Sequence, residues 1–267
     1  MRIFLAEWRK LRRPTLLFGT LGSVVFVTGL VTSLLFLLID AKTGNADRGN
    51  RITREMLQLS DGFTIGFRSS SGLLGIVALS VFAAQTAYEY THGTLRNLLI
   101  RQPRRLRLLL GKYFAMIALA ILVVLVAAIT AVGVAYGLAG RANVMTDAWS
   151  TADAYKAFGH TFVNVLISTI GYGTIGMILG ILFKSPNIAI TVGNAFLLVV
   201  ESIIGIAWKP STNWLPGNLL SIVSSGGAPI GFENPISYSQ ALLRIAAYLL
   251  VSAGATATLF KRRDVAN

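Results

Sequence analysis

Six stretches of roughly eighteen or more residues, each carrying at most one charge, divide this chain, and a soluble domain of its length has no place to bury them. They run from Thr15 to Ile39, about Ser70 to Ala87, Tyr113 to Ala139, about Ala157 to Phe183, Pro186 to Trp208, and Ile236 to Phe260. A helix rises about 1.5 Å per residue, so about twenty residues cross the ~30 Å of hydrocarbon in a bilayer. In lipid every backbone N–H and C=O must be satisfied within the protein, which leaves helices or closed barrels. Continuous apolarity, rather than alternation, selects helices. The fold expected is an all-α integral membrane protein with one transmembrane domain over residues 1–267.

The charges sort by side. With the N-terminus in the cytoplasm, the inner segments are the N-terminal arm, the loop 88–112, the turn at Lys184 and the tail after Phe260. They hold fifteen basic residues against three acids, Glu7, Glu89 and Asp264, whereas the outer loops nearly balance with eight against seven. This is the asymmetry of a membrane protein with both termini cytoplasmic. It accounts for the whole formal charge of +13, so nucleic-acid binding is not needed to explain it. Charged residues are only 13% of the chain, about half the share in a soluble domain. No cysteine is present, which excludes thiol catalysis and disulfides, and two histidines far apart in sequence, His92 and His160, do not make a metal site.

The arm Met1 to Arg13 places Phe4, Leu5, Trp8 and Leu11 on one helical face, with most of its arginines elsewhere. That pattern suits an amphipathic helix in the inner interface, and is equally compatible with a simple positive-inside anchor. The apolar run behind it, about twenty-five residues long, exceeds the about 7–15 of a signal-peptide core, so the first span is expected to stay uncleaved.

The loop 88–112 is densely basic. Thr91 and Thr94 are candidate caps, Gly93 permits a tight turn, and Pro103 stops any helix begun at Leu95. Leu95, Leu98 and Leu99 recur at helical spacing, with Arg96 and Arg101 off their stripe. A short helix of this kind, projecting between two spans, offers a partner's groove an apolar knob with a basic rim. The plainer alternative is a charged turn that only sets topology.

The string Glu89-Tyr-Thr-His-Gly-Thr-Leu-Arg-Asn-Leu-Leu99, then Gln102-Pro-Arg-Arg105, then Leu110-Gly-Lys112, resembles the signature of the type-2 class of ABC transporter permeases. The start Ala6-Glu-Trp-Arg-Lys-Leu-Arg-Arg-Pro14 is similar to that family's start, and six spans with both termini inside agree over essentially the whole chain. The resemblance implies an exporter subunit working by alternating access. Glu89, Gly93, Thr94, Leu95, Arg96, Leu98, Leu99 and Arg101 would then form or seat the coupling helix that receives the motion of a separate ATPase. It implies two permease subunits, identical or not, with two ATPases, and ATP and Mg held by the partner. In keeping with that, the chain's one Gly-Lys, Gly111-Lys112, is followed by Tyr113, and Leu106 stands where a P-loop would have its first glycine. The absence of cysteine and the Arg-rich basic content fit a bacterial inner membrane.

Two charges fall inside spans. Glu201 lies seven residues before Trp208 and Arg244 eight after Ile236, so both sit near the outer ends of consecutive spans at similar depth. They either pair or line a cavity, because an ionisable group isolated in lipid costs at least about 2.5–3.5 kcal/mol. In an ion-coupled secondary transporter, the alternative function, Glu201 would be the titrating site. Between them, 209–235 forms the outer loop, where the resemblance implies short re-entrant helices. Gly133/Gly137 and Gly176/Gly180 make small-xxx-small faces suited to close helix packing. Asn164 and Asn194 are expected in interhelical hydrogen bonds, and Ile52 to Leu59 in a short surface helix. The transported substrate leaves no mark in the sequence.

Overall fold

The computed structural model describes residues 2–39, 52–93, 105–227 and 236–262. These residues are helical nearly throughout, and six helices are long and apolar enough to cross a membrane: Pro14–Leu37, Gly62–Thr91, Leu106–Ala139, Ala152–Phe183, Pro186–Ala207 and Tyr238–Leu259. This is the architecture of a multi-pass membrane protein, and each helix falls on one of the six apolar stretches. We refer to them as the first to sixth spans.

Three spans begin earlier than apolarity alone suggests. The second opens with a 3-10 turn over Gly62–Thr64 and a helical turn over Ile65–Ser69, where Gly62 to Phe67 are all buried and Arg68 is half-buried. The third starts at Arg105, two turns before Tyr113, so Lys112 lies inside the helix rather than opening it. The fourth starts at Ala152, where the Thr151 hydroxyl accepts from the Ala154 N–H at 3.3 Å and caps the first turn. The fourth and fifth spans join at Lys184, which adopts φ 53° just before Pro186 opens the next helix.

At the bundle's centre the second and fourth spans approach so closely that side chains must be missing. A Cβ on Gly176 would overlap the Leu79 backbone, one on Gly180 would lie 2.7 Å from the Ala83 carbonyl oxygen, and one on Gly75 would enter the Tyr172 ring. Gly133 and Gly137 differ: a Cβ there meets nothing within 4 Å, so their face of the third span is open. Polar side chains tie spans together as the sequence leads one to expect. The Tyr238 hydroxyl donates to Asn164 Oδ1 at 2.8 Å, and Asn194 Nδ2 donates to Ser80 Oγ at 3.2 Å.

The two ends of the bundle differ. One carries the N-terminal helix, the close of the second span and the Lys184 turn, whose ammonium lies 6.0 Å from the Tyr90 ring centre. At the other, Trp149 is almost fully buried among Phe36, Phe63 and Tyr136, and its indole N–H donates to the Leu57 carbonyl at 2.9 Å. The expected surface helix there is the single turn Arg54–Gln58. It is anchored rather than loose, because Leu57 is wholly buried and the Arg54 Nε–H donates to the Ala142 carbonyl at 2.9 Å.

Candidate functional site: a ring of salt bridges on the N-terminal helix

The N-terminal helix, Arg2–Leu11, is amphipathic, but its inward face is not purely apolar. Leu11 is buried, Phe4 and Trp8 pack on the core, and Ile3 lies against Gly111 of the third span. Glu7 occupies the same face and is 5% exposed, whereas Leu5, expected on that face, is 55% exposed. The helix packs against the bundle along its Ile3–Phe4–Glu7–Trp8–Leu11 side. Glu7 faces inward because two cations await it.

Those cations are Lys10, one turn further along the same helix, and Lys112, two turns into the third span. Lys10 Nζ reaches Glu7 at 2.6 Å and Glu89 at 2.8 Å; Lys112 Nζ reaches Glu7 at 3.1 Å and Glu89 at 2.6 Å. Each ammonium touches both carboxylates, so four groups from three elements form a ring of salt bridges. Lys112 also donates to the Gln85 carbonyl at 3.3 Å. Burial pushes the Glu7 carboxyl up, but Lys112 and Lys10 outweigh it and hold the group below the usual carboxylate range. Burial pushes the Lys10 ammonium down, and its hydrogen bonds to Glu7 and Glu89 outweigh that and hold it above the usual lysine range.

Of the expected coupling residues, the structure places Glu89 in this ring at the end of the second span, and Gly93 four residues beyond it. Gly93 takes φ +64°, the left-handed turn that glycine makes without strain. The Thr91 hydroxyl donates back to the Ala87 carbonyl at 3.0 Å instead of capping a new helix. Thr94, Leu95, Arg96, Leu98, Leu99 and Arg101 lie outside the described residues. Both ends of the segment that holds them are fixed, by Gly93 on one side and the helix from Arg105 on the other.

Sequence reasoning about sites singled out Glu89 alone of the four. A usable signal was present. Only three acids fall among the fifteen bases of one side, and two of the three, Glu7 and Glu89, are the ring's carboxylates.

Glu201 and Arg244 do not pair. Directly before Glu201 the fifth span widens into a π-helical turn over Phe196–Val200, which interrupts the regular repeat. The buried Glu201 carboxylate then accepts the Gly217 N–H at 2.9 Å and the Asn218 N–H at 3.3 Å. These are first-turn donors of the short helix Pro216–Ser225, so the carboxylate caps that helix from outside and meets the positive end of its dipole. Arg244 donates from Nη1 to the Asn213 carbonyl at 2.6 Å and lies over the Trp214 ring, 4.2 Å from its centre. Each charge finds partners in 209–225, which is why neither needs the other.

The fold and site thus define a class: a six-span, all-helical membrane protein whose N-terminal helix is bolted to the second and third spans by buried charges. Residues 51–266 match the family described as a protein of unknown function, DUF2705, and the chain belongs to that family. No curated protein matches it.

Proposed function

We propose that this chain is the membrane-spanning permease subunit of an ABC exporter in a bacterial cytoplasmic membrane, both termini inside. It moves its substrate by alternating access driven by ATP hydrolysis on a separate ATPase chain. The observation that carries this reading is the ring. Glu89 ends one span, Lys112 lies in the next, and the segment 94–104 bridges them, so a push on that segment must pass through the ring. Because Glu7 and Lys10 share the same salt bridges, the N-terminal helix moves with both spans as one body.

A buried ion network is a poor device for raw stability, since apolar residues of the same volume are often as good. It is a good device for a rigid joint, because any slippage exposes an uncompensated charge. In this mechanism Leu95, Leu98 and Leu99 seat the coupling helix in the ATPase groove, with Arg96 and Arg101 at its rim. Two permeases and two ATPases complete the transporter. Glu201 is poorly suited to the alternative role of titrating site for a coupled ion, because both its oxygens are held by backbone N–H groups.

The test is co-purification with the ATPase encoded beside this chain, from detergent or nanodiscs. Wild type is expected to retain the ATPase stoichiometrically, and Leu98→Asp/Leu99→Asp to lose it by tenfold or more. Equal retention by the mutant would remove the coupling assignment, and no ATPase with wild type would remove the transporter class.

A further inference from the structure

Between the fifth and sixth spans lies an apolar cleft. Both spans pack on the fourth, and the space left between them has a volume of about 510 Å³, within the range of about 300–1,000 Å³ that ligand pockets take. Ile178 and Leu179 form its floor, Phe196 one wall, and Tyr248, Leu249 and Ser252 the other, with Trp214 at one end. The lining is almost entirely hydrocarbon and aromatic surface.

Arg244 stands at the Trp214 end of this cleft. It is the one basic residue in the apolar run 236–260, and Glu201, the acid nearest in depth by sequence, is held by Gly217 and Asn218 instead. Its contacts among the described residues, a carbonyl oxygen and an aromatic face, stabilise a guanidinium without neutralising it. Five N–H donors in a planar fork suit a phosphate. Helix side chains lean toward the helix N-terminus, so the Arg244 stem climbs toward the start of the sixth span and the membrane surface at that end. Ile245, Tyr248, Leu249 and Ser252 continue down the same helix and all line the cleft. From Arg244 to Ser252 is about 12 Å of helix, most of one leaflet's ~15 Å of hydrocarbon.

A cation at the rim with an apolar slot running beneath it is the outline of an amphiphile. We propose that the cleft between the fifth and sixth spans is a binding site for an anionic phospholipid, with the headgroup phosphate on Arg244 and one acyl chain laid along Tyr248, Leu249 and Ser252. Net negative charge on the lipid is favoured because Arg244 meets no acid among the described residues. The site rests on the cleft and Arg244, not on the transport reading, and it holds for a six-span bundle of any function.

The test is native mass spectrometry of the full chain from mixed micelles containing phosphatidylglycerol and phosphatidylcholine in equal amounts. Wild type is expected to carry phosphatidylglycerol over phosphatidylcholine by about fivefold or more. R244Q should lose that preference while still binding lipid, and S252F, which fills the slot, should lose bound lipid of both kinds. Equal binding of the two lipids by wild type, or an undiminished preference in R244Q, would overturn the proposal. So would displacement of the lipid by inorganic phosphate alone, which would mark a bare anion site, or a change from dimer to monomer in S252F, which would mark the cleft as a seat for a second copy. If R244Q does not fold, fluorescence quenching of wild type decides. The part of the emission absent in W214F should be quenched more by phosphatidylglycerol with brominated acyl chains than by the phosphatidylcholine counterpart, and equal quenching contradicts the site.

Discussion

Lys112→Met is expected to destabilise the protein by about 3–5 kcal/mol, the usual cost of removing one partner from a buried ion pair. Lys112 is buried and contacts both carboxylates, so its loss takes a cation at salt-bridge distance from Glu7 and Glu89 alike. Thermal unfolding in detergent, followed by monodispersity, measures the loss. The companion variant E7Q/K112M removes one charge of each sign and should recover more than half of it. A Lys112→Met protein as stable as wild type would contradict the ring. Replacing all four groups by neutral residues of similar size separates stability from mechanics: under the proposed function, such a protein is expected to fold and bind an ATPase, yet transport poorly.

The ring also sets a pH window. Glu7, held below its ordinary 4.5, contributes stability that is present above that value and is lost as pH falls through its lowered pKa. Lys10, held above its ordinary 10.5, contributes stability that is present below that value and is lost as pH rises through its raised pKa. Between these limits the contribution of Glu7 and Lys10 should be flat.

The second large effect is expected at Gly176. A methyl group there overlaps the Leu79 backbone, which cannot rotate away as a side chain could, so the second and fourth spans must separate. Gly176→Val should cost at least the upper end of the about 1–3 kcal/mol typical of overpacking, read as a loss of folded, monodisperse protein. Gly133→Ala, with nothing within 4 Å, is the control and should be close to neutral. If the two substitutions behave alike, the close packing of the second and fourth spans is wrong.

The six spans were legible because membrane insertion acts on composition: twenty apolar residues must go somewhere, whatever the tertiary contacts. Boundaries were less so, since Arg105 and Arg107 read as loop yet lie in the helix that continues into the third span. The small-xxx-small pattern at Gly176 and Gly180 marks a real contact and the same pattern at Gly133 and Gly137 does not, because spacing tells which face is smooth but not what lies opposite. The N-terminal helix was readable as amphipathic, but the hydrophobic stripe misplaced Leu5 and hid Glu7. A buried carboxylate is invisible to any pattern of apolar residues, and its buried partner, Lys112, comes from a distant part of the chain. Glu201 and Arg244 invited pairing by depth alone, and depth says nothing of azimuth or of the N–H groups that the helix from Pro216 presents to Glu201.

The proposed coupling role is tested most directly by where an ATPase touches the chain. The protein has no cysteine, so a single Leu98→Cys can carry a photoactivated cross-linker without other changes. With the neighbouring ATPase co-expressed, Leu98→Cys is expected to give a cross-linked adduct of the combined mass, and Arg141→Cys, at the other end of the bundle, none. Cross-linking from Arg141→Cys alone, or no adduct from Leu98→Cys while the ATPase co-purifies, would contradict the account.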